Sequence, residues 1–120
     1  MDTEDRKSLI NSHIQKLFDK VSSGAPLSYL IISEKKSNKY IQCTVSTGEE
    51  EVLIDVPEGQ LGPEEVDSIT QVLSDICGEK EVLGFQIKVP RDEVADVVDK
   101  IFINGFGLPS DYEIEITLLE

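Results

Sequence analysis

The chain has 120 residues, 39% apolar and 29% charged, and its 24 carboxylates against 11 Lys and Arg leave a net charge of −13. At this length one domain buries roughly 65% of its extended surface, enough for a core without metal or disulfide staples. The acid excess repels nucleic-acid phosphate and anionic lipid, which argues against both as partners, and it speeds encounter with basic surfaces.

The excess is uneven: residues 61–120 carry 14 acids and 4 bases, against 10 and 7 in residues 1–60. A plainer reading is that the charge only keeps the protein in solution. "MDTEDRKSLI" is acidic where a signal peptide would be basic, and no run of about 18 apolar residues could span a membrane. The expectation is a cytoplasmic protein. Cys43 and Cys77, far apart and outside any CxxC pattern, are expected as reduced, unbridged thiols.

Leu9, Ile10, His13, Ile14, Leu17, Phe18 and Val21 recur at helical spacing, behind an acidic start at Asp2, Glu4 and Asp5. "SSGAP" ends that helix. "LSYLII" is apolar on both faces and predicts an interior strand. "YIQCTVS" alternates, with Ile41, Cys43 and Val45 inward and Tyr40, Gln42 and Thr44 outward; "EEVLIDV" turns Val52, Ile54 and Val56 inward. Three strands on brief polar loops predict an antiparallel meander.

Pro63, Glu64 and Glu65 open a second helix with the stripe Val66, Ile69, Leu73 and Ile76, closed by Gly78. "VLGFQIKV" predicts a fourth strand with Leu83, Phe85, Ile87 and Val89 on one face. Beyond Pro90 comes a third helix on Val94, Val97, Val98, Ile101 and Phe102. It should close at Asn104-Gly105, with Gly105 left-handed and Phe106 folded back on Ile101 or Phe102. In "DYEIEITLLE", Tyr112, Ile114, Ile116 and Leu118 face inward and Glu113, Glu115 and Thr117 outward. The order α-β-β-β-α-β-α-β predicts one α+β domain over 1–120, an antiparallel five-stranded sheet with helices packed on one face.

Motifs for chemistry are thin. His13, the single histidine, sits within an apolar stripe with no orienting partner in sequence and reads as a packed residue with one satisfied nitrogen. One histidine and two scattered cysteines fall short of a zinc ligand set, and the acidic loops do not space their carboxylates as a calcium loop does. Cys77 at a helix C-terminus and Cys43 on a buried row lack what lowers a thiol pKa. Gly105-Phe106-Gly107 follows a helix, the reverse of a phosphate cradle. Asp92, Asp96 and Asp99 read as a solvated helix face. No catalytic, metal or cofactor residue is predicted. The outward rows Tyr40, Gln42, Thr44 and Glu113, Glu115, Thr117 are the candidate partner-binding residues.

From "KYIQC" through the acidic hairpin into "EVLIDV", and again in "IFINGFGLPSDYEIEI", the chain resembles the type III secretion chaperone-like superfamily, its TY-Chap relatives in particular. The corresponding pieces are Leu9–Val21, Leu27–Ile32, Tyr40-Ile41-Gln42, Val52–Val56 and Val66–Ile76. This sequence has no tryptophan where relatives often carry Leu-Gly-Trp after the second helix. The resemblance implies a small acidic protein, often homodimeric, that holds extended segments of other proteins without ATP and without a catalytic residue. It favours a non-catalytic binding module for a basic or extended segment. The alternatives are an acidic immunity or inhibitor protein that neutralises a basic toxin, and a small enzyme. Self-association as a two-fold dimer is expected from the uncovered side of the sheet.

Overall fold

Asp2 stands in extended backbone and its carboxylate accepts the Asp5 N–H at 2.9 Å, so the first helix, α1 (Thr3–Ser22), starts capped, six residues ahead of its apolar stripe. The computed structural model describes residues 1–24, 28–45, 50–77 and 85–119. Ile10, Ile14, Leu17, Phe18 and Val21 are buried along α1. Gly24 takes φ +95° just past its end, donating its N–H to the Val21 carbonyl.

Five strands follow the predicted alternation: β1 (Tyr29–Glu34), β2 (Tyr40–Thr44), β3 (Glu51–Asp55), β4 (Gln86–Pro90) and β5 (Ile114–Leu119). They form one antiparallel sheet in the order β4-β3-β2-β1-β5. Leu27 lies outside the described residues, but the rest of "LSYLII" leads into β1, which is indeed interior, between β2 and the C-terminal strand. On one face Leu30, Ile32, Ile41, Cys43, Val52, Ile54, Ile87, Val89 and Ile114 are buried and share a core with the helices. Leu83 lies outside the described residues, and Tyr112 is buried two residues ahead of β5 rather than within it.

Side chains close the loops between strands. The buried Glu34 carboxylate accepts the N–H groups of Lys36 (2.9 Å) and Ser37 (2.8 Å), which folds the β1–β2 turn around Asn38 at φ +62°. Where β3 ends at Asp55, the Gln60 amide replaces a strand neighbour: its Oε1 accepts the Tyr40 N–H and its Nε2 donates to the Tyr40 carbonyl. That completes the ladder beyond Pro57, which has no N–H to offer.

The second helix, α2 (Pro63–Cys77), has Pro63 at its first position, and the Glu65 carboxylate reaches back to the Gly62 N–H at 3.0 Å. Ile69, Val72 and Leu73 are its buried stripe. Gly78 lies outside the described residues. The third helix, α3 (Val94–Lys100), widens into a π-turn over Ile101–Gly105, and Val94, Val97, Val98, Ile101 and Phe102 are all buried. The expected left-handed Gly105 is corrected here. Gly107 takes φ +72°, whereas Gly105 is needed because a Cβ there would overlap the Ile69 side chain of α2. The Phe106 N–H closes the π-turn on the Ile101 carbonyl at 3.0 Å, and its ring lies 5.7 Å from that of Phe102.

Candidate functional site

The helices cover one face of the sheet, and among the described residues no helix packs over the other. That face holds Tyr29, Ile31 and Ser33 of β1, Tyr40, Gln42 and Thr44 of β2, Leu53 and Asp55 of β3, and Glu115, Thr117 and Leu119 of β5. Strand register sets them in rows: Asp55, Gln42, Ile31 and Thr117 lie side by side, and so do Leu53, Thr44, Tyr29 and Leu119. Five of the six residues picked as partner-binding therefore share one surface: Tyr40, Gln42, Thr44, Glu115 and Thr117. Glu113 lies just ahead of β5, half-exposed, with the Lys35 ammonium at 3.7 Å and the Met1 ammonium at 3.8 Å.

β5 is also an edge. The Lys35 N–H donates to the Glu113 carbonyl at 3.0 Å, which sets the phase of the β1–β5 ladder. Glu115, Thr117 and Leu119 then exchange their main-chain bonds with β1, and Ile114, Ile116 and Leu118 turn N–H and C=O outward. Among the described residues nothing pairs with those outward groups. β4, at the opposite edge, carries Lys88 and ends in Pro90, features that discourage pairing. β5 has neither. Its Ile114 is buried, and Ile116 and Leu118 are half-buried against the core.

A buried polar network holds β5 at its entry. Arg6 is fully buried. Its guanidinium meets Asp99 Oδ1 at 2.7 and 2.9 Å, donates to the carbonyls of Met1 and Tyr112 at 3.2 Å each, and lies 3.9 Å over the Tyr112 ring. The Tyr112 hydroxyl donates to the same Asp99 oxygen at 2.8 Å; burial, reinforced by that bond, pushes the phenol well above its ordinary pKa. Asp99 is thus no part of a solvated face, which corrects the sequence reading; Asp96, by contrast, is exposed and pairs with Lys7 at 2.7 Å. Sequence offered one clue to Arg6: it stands four residues before Ile10, in line with the apolar stripe.

Catalytic chemistry finds little to build on. Cys43 is a free thiol, pushed up to about 12 by burial. Cys77's side chain lies outside the described residues. His13 is half-buried with Nδ1 2.9 Å from the Leu9 carbonyl. A groove between α2 and the Lys100–Asn104 segment contains one hydroxyl, Ser68, which donates to the Glu64 carbonyl rather than to a base. Among the described residues no three His, Cys, Asp or Glu are grouped to hold a metal, and no helix is long and apolar enough to cross a membrane. No protein-family model, curated protein or solved structure matches the chain.

Proposed function

We propose that this chain is a non-catalytic, cytoplasmic protein-binding module, chaperone-like in the sense its sequence resembles, that holds an extended basic segment of a partner by strand addition to β5. The observation that carries this reading is the outer edge of β5, which no strand joins among the described residues. Three residues, Ile114, Ile116 and Leu118, present main-chain donors and acceptors to an incoming strand. The buried Ile114 and the half-buried Ile116 and Leu118 extend the core toward it. Glu113 and Glu115 supply the adjoining negative charge, within a chain of net −13, and select Lys and Arg on the segment.

Capture from native cytosol at low salt, with bound proteins identified by mass spectrometry, should return partners with basic extended segments. A synthetic copy of such a segment should lose binding when alternate backbone amides are N-methylated, because those amides complete the ladder. Glu113→Gln with Glu115→Gln should slow association, and the loss should shrink as salt rises. Equal binding by the N-methylated and parent peptides would sink the reading.

A further inference from the structure

We infer that the outer flank of α1 roofs the β5 edge, and that the segment bound there alternates apolar residues, beneath that roof, with basic residues on the open side of the sheet. The inference rests on the strand addition proposed above. It adds which residues the strand must carry and in what phase.

The roof follows from how α1 is set on the sheet. α1 packs on β1 and β5, the edge pair of the sheet, so α3, which packs beside it, lies on its inner side. Lys7 pairs with Asp96 of α3 at 2.7 Å, and Arg91, just ahead of α3, lies 4.1 Å over the Phe18 ring. Leu9, His13 and Lys16 keep the i, i+4, i+7 spacing on the opposite flank, toward the outer edge of β5. Leu9 and His13 are half-buried there, whereas Asn11 and Gln15 are exposed. The His13 ring is held with Nδ1 2.9 Å from the Leu9 carbonyl. Leu9 joins Ile116 and Leu118 among the apolar residues that border the core without being fully covered. Apolar area is left incomplete along the helix flank and along the strand edge, and one added strand covers both.

That strand takes its phase from β5. The sheet is antiparallel throughout, and an antiparallel neighbour sets each residue directly opposite one of β5, with both side chains on the same face. Residues opposite Ile114, Ile116 and Leu118 therefore point to the helix side. Leu9 offers them apolar contact, and the exposed Lys16 ammonium repels a basic residue there. The residue opposite Glu115 points to the open side. Glu113 is already shared between the ammonium groups of Lys35 and Met1, but among the described residues no cation lies within 4 Å of Glu115, which is exposed. A lysine or arginine opposite Glu115 gains a partner and stays in water. The same residue one place along would carry its charge against Ile116 and under Leu9, at a desolvation cost that no carboxylate offsets.

Two peptides of one composition test this against the full chain by fluorescence anisotropy. One alternates valine and lysine over twelve residues, and the other repeats Val-Val-Lys-Lys over the same length. Charge and backbone donors are equal, so only the phase differs. The alternating peptide should bind about tenfold tighter or more. Leu9→Ala should weaken its binding about threefold or more with the far-ultraviolet spectrum unchanged, and Asn11→Ala should leave it unaltered. Equal affinity for the two peptides, or a Leu9→Ala variant that binds like the parent, overturns the inference. Strand addition itself still stands in that case if N-methylation of alternate amides abolishes the binding. Failure of both peptides to bind also overturns the inference.

Discussion

Arg6 has partners that are remote in sequence: Asp99 is 93 residues away and the Tyr112 carbonyl 106. A guanidinium removed from water is tolerated only when its charge and its donors are all met, so loss of one member leaves the others stranded. Arg6→Ala should cost about 3 kcal/mol by urea unfolding, by leaving the Asp99 carboxylate uncompensated. Tyr112→Phe removes one hydrogen bond and should cost about 1 kcal/mol. A double-mutant cycle over Arg6 and Asp99 that gives no coupling would show that the two act separately. Two carboxylates set an acid limit. Burial alone would raise Glu34, but the N–H groups of Lys36 and Ser37 outweigh it and hold the carboxyl below its ordinary 4.5. Glu65 is likewise raised by burial and lowered further by the Gly62 N–H and Lys39 ammonium, 2.8 Å away. A depressed folded pKa gives stability that is present above the unfolded value and lost as pH falls through the folded one. Melting temperature should therefore decline below about pH 4.5, and Glu34→Gln or Glu65→Gln should shrink that decline. Parallel pH profiles for variants and parent would remove these groups as the cause.

At the level of elements, the π-turn and β5 are the most sensitive places. Gly105→Ala drives a methyl into Ile69 and should cost about 1–3 kcal/mol, with part of the loss recovered by Ile69→Val. Gly107→Ala meets open space but must keep φ +72°, so its cost should be smaller, about 1 kcal/mol, and insensitive to Ile69. Comparing the two melts separates steric overlap from backbone strain. On β5, burial grades the response to a buried charge: Ile114 is 2% exposed and Ile116 only half-buried. Ile114→Asp should unfold the protein, while Ile116→Asp should leave a folded but weakened one, as read from circular dichroism. The equal severity that strict alternation suggests for both gives way because an edge strand is covered less completely than an interior one.

For the molecule as a whole, a net charge of −13 on a Cα radius of gyration of 13.6 Å means self-repulsion in the folded state that the expanded chain relieves. Added sodium chloride should therefore raise the melting temperature at neutral pH through simple screening. Flat or falling stability with salt would mean that the ion pairs, Lys7–Asp96 and Lys39–Glu65 among them, outweigh the repulsion. The same field bears on partners. Salt should loosen the hold on a basic segment at β5.

The sequence by itself determined the elements and their inward sides. Alternation placed Ile41, Cys43, Val52 and Ile54 in the core, and helical spacing placed Ile10, Ile14, Leu17, Val94 and Val98 there. Those patterns are local: each residue's orientation follows from the repeat of its own strand or helix. Only the tertiary structure decided that the C-terminal strand lies beside β1 at an edge, which leaves the main-chain groups of Ile114, Ile116 and Leu118 unpaired among the described residues. It also set Gln42, Ile31 and Thr117 in one row, and Arg6 against Asp99. "IEITLL" would alternate in the same way beside any neighbour, so its pattern carries no record of which strand it joins. A buried ion pair leaves no period at all, because its members meet through packing across distant segments rather than through the geometry of one.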